Sequence, residues 1–285
     1  MTDPALLLGW LLLTHLVADF LLQTDAMATE KFGHGPPASR ALGMHVGVVA
    51  LVHLPLVVTF GIPGLLFAML TVGSHLAIDR SKVLLTRRSE ANAAAGAAPT
   101  AEEAATGPAF DRAWTPVPGA LFALDQLAHL GVMLLGWTLL LAGAAPLGLV
   151  NDLASRLAGN LGPDVFHRVV LTGVVVSALL IVNVRSASLF VAMLVRPPGT
   201  SVDTSRPSMV RVGATIGILE RLLICALVLG GAVATIGLVI AAKTLARFKQ
   251  LDDREFAEYY LLGTLASVTI AVASSLIAQA ALASV

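Results

Sequence analysis

The sequence predicts an all-α fold: a polytopic integral membrane helix bundle of about eight transmembrane helices, with both termini outside. Three observations carry this. First, 56% of the 285 residues are hydrophobic and only 13% are charged, against roughly 25% in an average soluble domain, and the mean hydropathy is +0.84. Second, the apolar residues come in runs about as long as a bilayer crossing needs, and they do not alternate as barrel strands would. Third, the basic residues segregate once those runs are read as crossings.

The expected spans are 5–24, 41–60, 63–85, 119–145, 166–195, 209–229, 232–249 and 256–283. The first is not a cleavable signal, because Asp3 precedes it, no small-residue cleavage site comes after it, and His15, Asp19 and Gln23 lie within it. Gly61-Ile62-Pro63-Gly64 reads as a tight turn, and Gly230-Gly231 as another. Eight crossings place Lys31, Arg40, Arg80, Lys82, Arg87, Arg88, Arg112, Arg196, Arg206, Arg211, Lys243, Arg247, Lys249 and Arg254 on one side. Arg156 and Arg168 fall on the other, and Arg185 and Arg221 lie inside spans. Lys/Arg excess marks the cytoplasmic side, so the termini are expected outside and the protein in a bacterial inner membrane. Residues 86–118 and 196–208, rich in Ala, Gly, Pro and Thr, read as linkers, and 150–164 as a short external segment. Two four-helix halves are expected, 1–145 and 146–285.

The composition excludes several function classes. Eighteen Lys+Arg balance eighteen Asp+Glu, which leaves no net basic field for nucleic acid. The lone Cys225 rules out an internal disulfide and a cysteine-rich metal site.

Ionisable residues within spans are costly and mark functional sites by default. His15 and Asp19, His75 and Asp79, and Asp125 and His129 are each four apart on one helix, so each pair shares a face. His45 joins them near the start of the second span. In the expected span order all seven fall in the cytoplasmic third of the membrane, although independent structural pairs have no reason to share a depth. Imidazole and carboxylate together suit Zn, Mn or Fe, and seven candidate ligands leave room for two ions and a water nucleophile. Gln23, one turn beyond Asp19, and Lys82, on the face of Asp79, are the candidate catalytic groups. A hydrogen-bonded structural layer and a proton relay are the competing readings. His53, near mid-membrane, reads equally as a buried hydrogen-bonded residue or as a ligand, and His34 and His167 read as ordinary polar residues. In the second half, Arg185, Glu220, Arg221, Lys243 and Arg247 form a candidate anion- or substrate-binding set, since Arg offers a fork to phosphate. Ion pairs such as Lys243 with Glu220, fixing helix packing, are the alternative.

The stretch HLVADFLLQTDAMATEK at 15–31, His45, HLAIDRSK at 75–82 and DQLAH at 125–129 resemble a family of bacterial polytopic membrane proteins of unassigned function, marked by an H-x-x-x-D-F-x-x-Q start. IGILERLLI, AAKTLARFK and EYYLLGTLAS in the second half are similar to a segment of longer members. The H-x-x-x-D helices are also similar in pattern to membrane-bound metal-dependent hydrolases. The expectation is a metal-dependent membrane hydrolase acting near the cytoplasmic leaflet on an amphipathic phosphoester or acyl substrate. Its partners would be membrane lipid and that substrate. H-x-x-x-D pairs also resemble the intramembrane site of cation-diffusion zinc transporters, so the rival class is a divalent-metal or proton-coupled transporter. A scaffold whose polar layer sets helix register is a third.

Overall fold

The structure is a computed structural model that describes residues 3–96, 115–195 and 207–283. It is helical, with no strand among the described residues. The helices are α1 (Pro4–Leu16), α2 (Asp25–Glu30), α3 (Gly35–Phe60), α4 (Ile62–Gly96), α5 (Val117–Gly136), α6 (Gly148–Ala158), α7 (Pro163–Ile181), α8 (Ala187–Val195), α9 (Pro207–Leu229), α10 (Ile236–Ala246) and α11 (Arg254–Leu282). Three π-helical segments extend them: Val17–Leu22 after α1, Trp137–Leu141 after α5 and Val182–Ser186 between α7 and α8.

Among the described residues, seven helical stretches are long and apolar enough to cross a membrane: Pro4–Leu22, Gly35–Phe60, Ile62–Ser89, Val117–Leu141, Pro163–Val195, Val212–Leu229 and Arg254–Leu282. This is a multi-pass membrane protein. The expected span at 232–249 is corrected, and the shared side of the two termini, which rested on eight crossings, loses that support. The apolar helix there runs only Val233–Ala246, about 21 Å at roughly 1.5 Å per residue, against a hydrocarbon core of about 30 Å. The Gly231 turn (φ 73°) delays its start, and the helix stops at Arg247. The linker expected at 86–118 is corrected in part: α4 continues through 86–96. Ser89-Glu90-Ala91-Asn92-Ala93-Ala94-Ala95 is rich in Ala, the best helix former. Residues 97–114 and 196–206 lie outside the described residues. The segment at 150–164, expected outside, contains most of α6, whose Leu149, Leu153 and Leu157 are exposed.

The chain forms two compact units, one of Met1–Leu84, Leu124–Ile181 and Ala280–Val285, the other of Leu85–Ala123 and Val182–Gln279. These boundaries cross the division expected at residue 145, because α7 joins the first unit. In that unit Asp3 caps α1 by accepting from the amides of Ala5 (3.0 Å) and Leu6 (3.2 Å), with Pro4 opening the helix. The same carboxylate accepts from His167 Nε2 of α7 at 3.0 Å. The α3–α4 turn needs its glycines. Gly61 has φ 61°, and a Cβ on Gly64 would stand 2.1 Å from the Leu56 carbonyl oxygen. Tight reversal there sets α3 and α4 side by side, which brings His45 opposite His75. Leu7, Leu11, Leu56, Phe60, Phe67, Met133 and Leu141 form this unit's apolar core.

Candidate metal centre

All seven expected ligand residues meet in the first unit. His15, Asp19 and His75 form one group, His45, His75 and Asp79 a second, and Asp79, Asp125 and His129 a third, each with ligand atoms within 4.8 Å of one another. They come from α1 and its π-helical extension, α3, α4 and α5. His45, His75, Asp79 and His129 are at most 3% exposed. His75 is the hub. Its Nε2 lies 2.8 Å from His45 Nε2, 3.7 Å from Asp19 Oδ1 and 4.0 Å from Asp79 Oδ2. Its ring centroid is 4.3 Å from that of His129, and His129 stacks on His15 at 5.0 Å.

Asp19 reaches the layer from a π-helical turn, in which the backbone bonds five residues back, as Gln23 N–H does to the Ala18 carbonyl (3.1 Å). Single π turns inside α-helices recur at functional sites. The His129 Nδ1 donates to the Asp125 backbone carbonyl at 2.8 Å. That bond fixes the tautomer and leaves a lone pair on Nε2, the arrangement a ligating histidine requires. Nε2 of His129, Oδ1 of Asp19 and Oδ1 of Asp125 are buried and make no hydrogen bond. The Nδ1 atoms of His45 and His75 are also unpaired, but it is their Nε2 atoms, 2.8 Å apart, that face the Asp19 carboxylate. Unpaired buried polar atoms are rare and call for a ligand, an ion or water. Lone pairs that converge from imidazole and carboxylate fit a divalent ion of the Zn, Mn or Fe kind.

Two lysines enter the layer. Lys82 Nζ lies 2.7 Å from Asp125 Oδ2, so the candidate catalytic lysine is engaged with a ligand carboxylate. Lys31 Nζ lies 2.9 Å from Asp79 Oδ2 and is 6% exposed. Sequence reasoning assigns Lys31 only to the cytoplasmic charge count, because it comes after a short polar segment. The fold returns it: α2 is capped by Thr24, and its Met27 and the succeeding Lys31, four apart, both turn inward and are buried. Sequence reasoning also misses Gln126. Its Oε1 lies 3.2 Å from His15 Nε2 and its Nε2 donates to Asp125 Oδ2 at 3.1 Å. Its neighbour Asp125 is the only signal. Gln23 caps the π segment, and its amide nitrogen is buried with no hydrogen bond. His53 is buried next to Phe67 and bonds the Val49 carbonyl through Nδ1 at 2.7 Å; it belongs to none of the three groups. His34 is exposed.

The second-half set lies in the other unit. Lys243 pairs with Glu220 at 2.6 Å. Arg221, 3% exposed, donates through Nε to the Asn183 backbone carbonyl at 2.7 Å and through its terminal nitrogens to Ser267 and Ser188. Arg247 reaches Gln250 at 3.2 Å and Arg185 is exposed.

A family model described as "Protein of unknown function (DUF3307)" matches residues 7–152. The chain belongs to that family. The DUF3307 match contains every residue of the layer, including Lys31, Lys82 and Gln126. No curated protein and no solved structure matches the chain.

Proposed function

We propose that this protein is a metal-dependent membrane hydrolase that cleaves a phosphoester or acyl bond of an amphipathic substrate near the cytoplasmic leaflet. The observation that carries the reading is the convergence of four imidazoles and three carboxylates from separate helices, with buried atoms left unpaired. A bound divalent ion would supply Lewis acidity and an activated water. The chain's own groups would do the rest. Lys82, 14% exposed at its side chain, is the layer's most accessible cation and is suited to meeting a developing anion. Gln126 would orient His15. The excess of Lys/Arg at these helix ends supports a cytoplasmic position in a bacterial inner membrane, and lipid is the amphipathic substrate at hand.

Toward the Asp3 end of the same helices, the layer gives way to the apolar core of Leu7, Leu11, Leu56, Phe60 and Phe67. A hydrolase needs access from one face only, whereas a transporter needs a route to both, so this apolar stretch supports the enzyme. The transporter reading draws on the Lys31–Asp79 and Lys82–Asp125 pairs, since an entering cation would exchange with a lysine.

One experiment separates these readings. Protein purified in detergent is analysed for divalent metal, then reconstituted in sealed vesicles of bacterial lipid. Chelator-sensitive release of fatty acid or phosphate, without zinc entering the vesicles, is the expected result. Zinc flux without hydrolysis would establish the transporter. Absence of metal after purification in metal-supplemented buffer would leave a structural layer.

A further inference from the structure

The three carboxylates of the layer are not equivalent. Asp79 has Lys31 at 2.9 Å and Asp125 has Lys82 at 2.7 Å. Among the described residues, the basic groups that approach Asp19 are all histidines: His45 Nε2 at 3.6 Å, His75 Nε2 at 3.7 Å and His15 Nε2 at 3.8 Å. Its Oδ1 accepts no hydrogen bond although it is buried. With neutral imidazoles, the layer therefore carries three negative charges and two fixed positive ones, and the uncompensated charge sits on Asp19.

We infer that the layer holds one divalent ion, on Asp19, His45 and His75, and that Lys31 and Lys82 stand in for a second ion at Asp79 and Asp125. This rests on the metal reading above and refines it. Asp19 Oδ1, His45 Nε2 and His75 Nε2 form a triangle with edges of 2.8, 3.6 and 3.7 Å. Ligands about 2.0–2.2 Å from a tetrahedral zinc stand roughly 3.3–3.6 Å from one another. The triangle is thus close to one face of a coordination shell before any ion enters, and His15, whose ring lies 6.3 Å from that of His75, borders the remaining position. The group of His45, His75 and Asp79 and the group of Asp79, Asp125 and His129 both depend on Asp79, whose Oδ2 is the atom that Lys31 holds. A second dication there would meet two ammonium groups in a low-dielectric layer, where like charges repel strongly.

The test is titration of metal-free protein with cobalt(II) alone, monitored by its d–d absorption and by elemental analysis. The wild type should saturate at one equivalent. Asp19→Asn should weaken binding on the order of tenfold or more, as loss of a ligand costs at least what loss of a supporting partner does. The charge-neutral doubles Lys31→Met/Asp79→Leu and Lys82→Met/Asp125→Leu, which strand no buried charge, should still take up one equivalent. Lys31→Met with Lys82→Met frees both carboxylates and should admit a second. Two equivalents in the wild type would overturn the inference, and this measurement needs no variant to fold. So would a double variant that loses cobalt while Asp19→Asn keeps it, or failure of the Lys31→Met/Lys82→Met protein to gain an equivalent. A wild type that binds no cobalt would instead sink the metal reading of the layer as a whole.

Discussion

Asp19 in the first unit and Arg221 in the second are both ionisable groups held inside apolar helices, and their surroundings differ. Arg221 spends its guanidinium on a backbone carbonyl and two hydroxyls, and its neighbour Glu220 is matched by Lys243. Asp19 has imidazoles around it and an oxygen that accepts no hydrogen bond, with no lysine or arginine paired to it among the described residues. In the second unit a buried side-chain atom left without a hydrogen bond, Thr264 Oγ1, is neutral. In the first unit such atoms include carboxylate oxygens and imidazole nitrogens. Burial of charge is common to both units. Unspent coordinating capacity distinguishes the first.

The largest effect should come from His75→Ala. It removes the hub of the layer, so bound metal should fall about tenfold or more, read by elemental analysis, with hydrolysis lost in parallel. Full metal content in this variant would erase the contrast. Arg221→Ala should act in the opposite sense. It strands the Asn183 carbonyl, so thermal unfolding in detergent should report a loss of about 3 kcal/mol, with metal content unchanged. Gly64→Ala should lower both quantities together. Its Cβ would overlap the Leu56 carbonyl, with a stability cost of about 1–3 kcal/mol and a looser pairing of His45 with His75. Stability lost without metal would show that the layer does not depend on the α3–α4 turn. The smallest effect belongs to Glu220→Gln with Lys243→Met. Both side chains are about one-fifth exposed, and removing them together should cost less than about 1 kcal/mol and leave metal and hydrolysis intact. Lost hydrolysis would return this pair to the substrate site.

Much of the layer is legible in the sequence because i, i+4 spacing survives in any helix: His15 and Asp19, His75 and Asp79, Asp125 and His129 need only a helical reading to be placed on shared faces. Most span limits are legible for a similar reason, since hydropathy and length decide them. Lys31 is not, because the backward turn at Gln23 and the Thr24 cap that return it are tertiary choices between two helices. Gln126 is hidden beside a more conspicuous neighbour. The α4 extension past residue 86 carries a signal that is easily misread: its alanines favour helix, while the Gly and Pro that suggest a linker begin only beyond them. The short α10 escapes notice because its composition matches that of its neighbours, and only the Gly231 turn and Arg247 limit it.

The π turn at Val17–Leu22 makes the first helix a part whose phase matters more than its composition. A segment bonded five residues back holds one residue more than an α-helix would place there. A one-residue deletion at Leu21 or Leu22 would remove an exposed apolar side chain, a change that hydropathy barely registers. It would also let the ladder revert to α spacing and rotate the chain beyond Leu22 by about 100° relative to α1. Asp19, Gln23 and the return path of Lys31 all lie on or after that turn. Length variants at this point should therefore be far less tolerated than substitutions among the leucines themselves, so the chain's tolerance to change is set here by counting rather than by chemistry.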